Sequence, residues 1–184
     1  TIHIEFSKIR KSGLIAIGIR DKDELLNVKQ TRGDANIVMI TSDGYAIIFN
    51  EKNIRAMGRS ASGVKAITLR SGDSLIALDI ATQGEDLMIV SENGYGKRTD
   101  LKQYPIQNRG GKGIKTYKVT EKTGKVSCAS VVNQNNDIML VNSNGVGIRI
   151  KTEDISRIGR SSLGVKLMKT NVSEKVIAVG KIKD

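Results

Sequence analysis

The residues best suited to chemistry lie in the heptad Gln107-Asn108-Arg109-Gly110-Gly111-Lys112-Gly113. Arg109 can grip a phosphate through two parallel hydrogen bonds, and Lys112 adds a compact point charge. Glycines at 110, 111 and 113 allow the backbone to approach a phosphate closely and to turn N–H groups toward it. Gln107 and Asn108 add amide donors, and none of these groups needs to read a base. Between Tyr95 and Lys125, nine basic residues (Lys97, Arg98, Lys102, Arg109, Lys112, Lys115, Lys118, Lys122 and Lys125) stand against Asp100 and Glu121. That is a net +7 in 31 residues, more than half of the chain's +11. A field of this sign attracts polyanions. The plain alternative for such a stretch is a solvated basic loop with no partner.

Other chemistry finds no support. Gly94-Tyr-Gly96 follows an apolar run, but Thr99 stands where a dinucleotide fingerprint needs its third glycine. The pairs Gly96-Lys97, Gly111-Lys112 and Gly124-Lys125 lack the Ser or Thr of a phosphate-binding P-loop. Asp21-Lys-Asp23-Glu24 begins like a calcium loop, yet Leu26 occupies its glycine position, so a solvated turn is expected. One His (His3) and one Cys (Cys128) cannot build a zinc site or a Ser-His-Asp triad. No cofactor is expected for this stretch of chain, nor catalysis by it alone. Cys128 lies in the alternating run Val126-Ser-Cys-Ala-Ser-Val-Val132, which predicts a buried small hydrophobe and excludes an internal disulfide. No apolar run reaches the roughly 18 residues of a spanning helix, so a membrane partner is not expected.

The elements that must position these groups are repeats. Asn36-Ile-Val-Met-Ile-Thr-Ser-Asp-Gly44-Tyr returns as Asp86-Leu-Met-Ile-Val-Ser-Glu-Asn-Gly94-Tyr and as Asp137-Ile-Met-Leu-Val-Asn-Ser-Asn-Gly145-Val, with glycines 50 and 51 residues apart. A second landmark keeps the same spacing: Gly58-Arg-Ser-Ala-Ser-Gly-Val-Lys65, Asn108-Arg-Gly-Gly-Lys-Gly-Ile-Lys115 and Gly159-Arg-Ser-Ser-Leu-Gly-Val-Lys166. Lys11-Ser-Gly13-Leu aligns with Ala61-Ser-Gly63-Val, so residues 1–35 read as a partial copy, followed by repeats over 36–85, 86–136 and 137–184. Two landmarks in one register make a repeat array the primary expectation.

Each repeat reads as strands. Ile37–Ile40 is a short apolar run ended by a Ser-Asp-Gly turn, and Tyr45–Phe49 is the return strand. Ile67–Leu69 and Leu75–Ile80 are expected to pair around Ser71-Gly72-Asp73. Glu51–Arg55 and Lys151–Ile155 fit single helical turns. Aromatics are 3% of the chain and Trp is absent, so Ile, Val, Leu, Met and Ala must build the core. The expected fold is all-β, a propeller-like array of about four blades of about 50 residues and four strands each.

Repetition also distributes the charge. Arg59 and Lys65 recur as Arg109 and Lys115, and again as Arg160 and Lys166. Equivalent positions in an array lie along one edge, and a row of cations suits the inner path of a bent duplex. Pairing of these arginines with carboxylates of neighbouring blades is the competing expectation. Binding of single strands usually needs stacking platforms. Tyr45, Tyr95 and Tyr117 are instead placed in strands, with Tyr104 beside Pro105.

The heptad Gln107–Gly113 resembles the box of the C-terminal domain of bacterial DNA gyrase A, whose usual form is Gln-Arg-Arg-Gly-Gly-Lys-Gly. Asn93-Gly-Tyr-Gly-Lys-Arg-Thr99, Ile54-Arg-Ala-Met-Gly58 and Ile155-Ser-Arg-Ile-Gly159 look like blade segments of the same family. The resemblance implies a β-pinwheel that wraps duplex DNA around a basic rim. It implies wider partners too: the remainder of gyrase A, gyrase B in a heterotetramer, and ATP with Mg for the whole enzyme only. It implies a bacterial, cytoplasmic, nucleoid-associated setting. Asn108 departs from the family's Arg. The box falls in the third recognisable repeat rather than the first blade of six, which is the expectation for a truncated domain carrying a second, box-like copy. The equivalent domain of topoisomerase IV and a protein-binding propeller are the alternatives.

Overall fold

The computed structural model describes residues 11–59 and 61–182. The all-β expectation holds. Within these residues eleven strands form three antiparallel sheets, joined by single 3-10 turns. In the first sheet, β1 (Asn36–Thr41) and β2 (Tyr45–Asn50) form a hairpin, β3 (Leu75–Ile80) pairs with β1, and β6 (Ile114–Lys115) pairs with β2. The second sheet repeats this plan with β4 (Asp86–Ser91), β5 (Tyr95–Asp100), β7 (Val126–Val132) and β10 (Val165–Lys166). In the third, β8 (Asp137–Asn142) lies between β9 (Gly147–Lys151) and β11 (Val176–Ile182).

The fourth strand of each completed sheet therefore comes from the following repeat. One expected pairing is corrected by this arrangement. Ile67–Leu69 is not a strand opposite β3, whose partner is β1. Thr68 instead donates its backbone N–H to Gly111 O at 2.8 Å, spending the segment on the next repeat's loop. The helical-turn expectations are met as 3-10 turns at Glu51–Asn53 and Thr152–Asp154, with two more at Ala81–Gln83 and Leu101–Gln103. Asn50 and Asp100, at equivalent places, each cap the turn that follows with a side-chain oxygen. Asp21–Glu24 lies exposed at a turn.

Packing follows from apolar side chains on both faces of the central hairpins. Val38, Ile40, Ala46 and Ile48 meet Leu87, Ile89, Val126 and Val131 between the first and second sheets. Met88, Val90 and Val132 meet Ile138, Leu140 and Val176 between the second and third. On its far side the first sheet packs Ile37, Ile47, Phe49 and Ile80 with Ala35 and Ile67. Tyr104 and Tyr117 are buried in the first of these cores. Tyr117 lies just after β6 rather than in a strand, and its hydroxyl donates to Ser91 Oγ at 3.3 Å. Cys128 is half-buried on β7, and burial pushes its thiol upward in pKa.

Strands β3, β7 and β11 of successive sheets pack on one another, so β6 and β10 mark the opposite, outer edge. A polar chain links the inner strands at equivalent positions. Lys29 meets Asp79 at 3.0 Å, Asp79 accepts from Ser130 Oγ and Val131 N, and Lys181 donates to Val131 O at 3.0 Å. Burial opposes the charge on Asp79. Amides of Val131 and Ile80 together with Lys29 outweigh it and hold the carboxyl below its ordinary range.

Candidate nucleic-acid interface

Three equivalent stretches, 58–65 (described apart from Ser60), 108–115 and 159–166, run into the outer-edge positions. The last two end in β6 and β10, which place Lys115 opposite Tyr45 and Lys166 opposite Tyr95. Consecutive loops are also joined through the backbone. The residue three beyond each loop's lysine bonds to the next loop: Thr68 N to Gly111 O, and Lys118 N to Ser162 O at 3.1 Å.

The middle loop is shaped by its glycines. Gly110 has φ +85° and donates to Ala66 O at 2.6 Å, while its own carbonyl accepts from Thr68 Oγ1. Gly113 has φ +67°, and a Cβ there would lie 2.7 Å from Ala46 O. A side chain at 113 would push the loop off the sheet. Gln107 is half-buried and donates its N–H to Ile48 O, whereas Asn108 is exposed. Arg109 is exposed, with Nε on Asn53 O and Nη1 on Lys65 O, both at 3.1 Å. These bonds brace the guanidinium across the seam to the preceding loop. Lys112 is exposed at the tip.

The outer edge also carries Lys65, Lys115 and Lys166, all exposed, with Arg59 and Arg160 half-buried. Tyrosines back these cations. Lys115 stands 5.7 Å and Arg70 3.3 Å from the Tyr45 ring centre, and Lys166 and Lys122 stand 4.7 and 5.5 Å from that of Tyr95. Arg70 carries no sequence signal, and Lys122 is marked there only as one of nine basic residues. They do not share a repeat position, since Thr120 lies 50 residues after Arg70 and Gly72 lies 50 before Lys122. Periodicity carries no signal for either.

Two expected contact residues are corrected. Lys97 is wholly buried, and its ammonium donates to Gly159 O at 2.7 Å, Arg160 O at 2.5 Å and Ser162 Oγ at 3.1 Å. Alternation along β5 turns Lys97 onto the face covered by the third loop, out of reach of a rim ligand. Burial, then the nearby Arg160 charge, lowers its pKa to about 8. Arg98 is turned inward as well. Its Nη1 pairs with Asp86 at 2.9 Å and its Nε donates to Ile155 O. Arg157 of the next repeat shares that carboxylate at 2.8 Å and reaches Asp100 at 3.1 Å. The competing expectation concerned Arg59, Arg109 and Arg160; the arginine that reaches carboxylates of the neighbouring repeat is instead Arg157, while Arg98 pairs with Asp86 of its own sheet.

Three stacked antiparallel sheets, two of them four-stranded and closed by a strand from the next repeat, edged with basic loops, define a β-propeller-type repeat domain. A family model described as "DNA gyrase C-terminal domain, beta-propeller" matches residues 5–32, 35–82, 85–133 and 136–183, and the chain belongs to this family. Over 181 residues it is 44% identical to the DNA gyrase A protein of Staphylococcus epidermidis, and equally to that of Staphylococcus aureus. These alignments cover 97% of this chain and 20% of each relative, so the chain spans about a fifth of their length. A solved DNA gyrase A C-terminal domain superposes with TM-score 0.87 at 29% identity, covering 94% of this chain and 59% of that one. The C-terminal domain of DNA topoisomerase IV superposes with TM-score 0.90 at 24% identity, covering 97% and 56%, a likeness of fold.

Proposed function

We propose that this chain binds duplex DNA through its outer edge without reading sequence, and bends or wraps it as the C-terminal domain of a DNA gyrase A protein. The carrying observation is the row of loop cations, Arg59 and Lys65, Arg109 with Lys112 and Lys115, Arg160 and Lys166, linked loop to loop through the backbone. Cations spaced along one edge can follow a phosphate backbone as it curves, and no group in the row is set to read base edges. In the whole protein this domain would act beside the remainder of gyrase A and beside gyrase B, in the bacterial cytoplasm on the nucleoid. It would support ATP-dependent negative supercoiling whose ATP, Mg and catalytic groups belong to other parts of the enzyme.

The salt dependence of duplex affinity tests the reading. A wrapper making roughly 6–10 phosphate contacts loses about 10³–10⁵ in affinity between 50 and 200 mM salt. Arg109→Ala with Lys112→Ala should weaken binding to unrelated sequences alike and reduce the salt slope by about two, one per phosphate contact. A flat salt response would sink DNA binding in favour of a protein-binding propeller. A sequence-selective loss would mean that base readout had been mistaken for backbone grip.

A further inference from the structure

Lys97 stands where the two neighbouring sheets carry Ile47 and Ile148, and it lies under the third loop. That loop, Gly159-Arg-Ser-Ser-Leu-Gly164, lacks the tip lysine of the middle loop, because Leu163 replaces Lys112, and serines replace Gly110 and Gly111. The cation missing from the tip is supplied from beneath. Two successive carbonyls, Gly159 O and Arg160 O, converge on the one ammonium. Ser162 Oγ accepts from it too, while donating to Gly159 O at 2.6 Å.

Convergence from below fixes what faces outward. None of the described peptide bonds is cis. In a trans peptide the C=O and the following N–H point in opposite directions. With both carbonyls turned down onto Lys97, the N–H groups of Arg160 and Ser161 are turned away from it. Successive N–H groups on one side of a turn make a concavity for an anion. Arg160, half-buried and held 5.9 Å over the Tyr104 ring, supplies the side-chain charge beside it.

The geometry points to the loop Gly159–Gly164 as a phosphate-binding site of its own, shaped from beneath by Lys97 as a positioning residue. It rests on the DNA-binding reading and adds where a phosphate sits in the third repeat. Lys97 touches no phosphate, and its effect passes through the loop.

Deprotonation of Lys97 would release the two carbonyls from a charged donor, so the site should weaken as pH rises through about 8. The groups facing Lys97 are Arg160 and the Tyr117 ring, whose centre is 5.8 Å away. Burial raises the phenols of Tyr117 and of Tyr104, which lies under Arg160. Neither phenol ionises in the same window.

The test uses this chain and a duplex of about 40 base pairs. Lys97→Ile places the neighbours' residue under the loop, and Arg160→Ala removes the side-chain charge. Each should weaken binding about 10-fold, and the double variant should bind no more weakly than either single one, as expected when one residue acts through the other's loop. Wild-type affinity should fall several-fold between pH 7 and 9.5, while Lys97→Ile stays flat. The pH titration of the wild type needs no variant to fold. Additive losses, or a wild-type affinity indifferent to pH, would overturn the site. Absence of any salt-dependent binding by the wild type would instead overturn the DNA-binding reading itself.

Discussion

The seam between the first and second sheets and the seam between the second and third share one backbone plan and differ in chemistry. At the first, Ile48 bridges to Ile106, with Gln107 N bonded to Ile48 O. At the second, Arg98 bridges to Arg157, with Ile158 N bonded to Arg98 O. The bridged residues are apolar at one seam, Ile48 buried and Ile106 exposed, and at the other two guanidiniums share Asp86. The guanidiniums are tolerable because Asp86 lies between them, where the first sheet has Asn36. The loop above shows the same contrast. The middle loop rests on Ile47 and shapes itself with glycine, and the third rests on Lys97 and is shaped by hydrogen bonds. Backbone pairing thus specifies the array, and side chains are free to make a seam greasy or ionic.

The contrast breaks most severely at Asp86. Asp86→Ala leaves the mostly buried Arg98 without its carboxylate and facing Arg157, which keeps only Asp100, and should cost about 3–5 kcal/mol. The matching change Asn36→Ala removes only a neutral bond from Asn50 Nδ2 at 2.9 Å and should cost about 1 kcal/mol. Urea unfolding of the two variants measures the difference. Equal costs would mean that the ion triad adds nothing over the apolar seam.

Closure of the sheets sharpens the comparison. Gly44 and Gly94, at equivalent hairpin turns, have φ +79° and +76°. A Cβ at Gly44 would lie 2.5 Å from Tyr117 O, and one at Gly94 would collide with Met168 O, each just past the strand from the following repeat. Gly145 has the same φ of +79° with nothing within 4 Å. Gly94→Ala should therefore cost about 3 kcal/mol, from backbone strain plus overlap. Gly145→Ala carries the backbone strain alone, about 1 kcal/mol. A calorimetric scan in which both lower Tm alike would show that the clash is relieved by movement of the neighbouring strand.

Much of this plan was legible in the sequence, and the parts that were not share a cause. The hairpins were visible because apolar runs and Asp-Gly or Asn-Gly turns are local signals. The cation row was visible because its members recur at one spacing. The exchange of the fourth strand was not, since Ile114-Lys115 and Val165-Lys166 are too short to announce a partner a repeat away. The burial of Lys97 was hidden for a related reason. Within Tyr95–Asp100 its neighbours are polar, and only the carbonyls of a loop more than 60 residues distant turn that position into an interior one. Arg98 looked like a rim cation for want of knowing that Arg157 and Asp86 would meet it. Charge counted along a sequence does not separate cations that face solvent from those the fold consumes.

Lys97 gives the finest distinction between the two seams, because it makes the third loop's support titratable where Ile47 is inert. The unfolded chain keeps this proton into the ordinary lysine range, whereas the folded chain releases it near 8. Between those values the unfolded state binds more protons, so the lysine's contribution to stability rises with pH. From pH 7.5 to 9.5 the wild type should gain on the order of 1–2 kcal/mol relative to Lys97→Ile, read as a Tm difference of a few degrees. Duplex affinity is expected to move in the opposite direction over the same interval. A residue serving only as packing would leave duplex affinity flat while stability still rose, so opposed slopes separate a lysine that holds a binding loop from one that merely fills space.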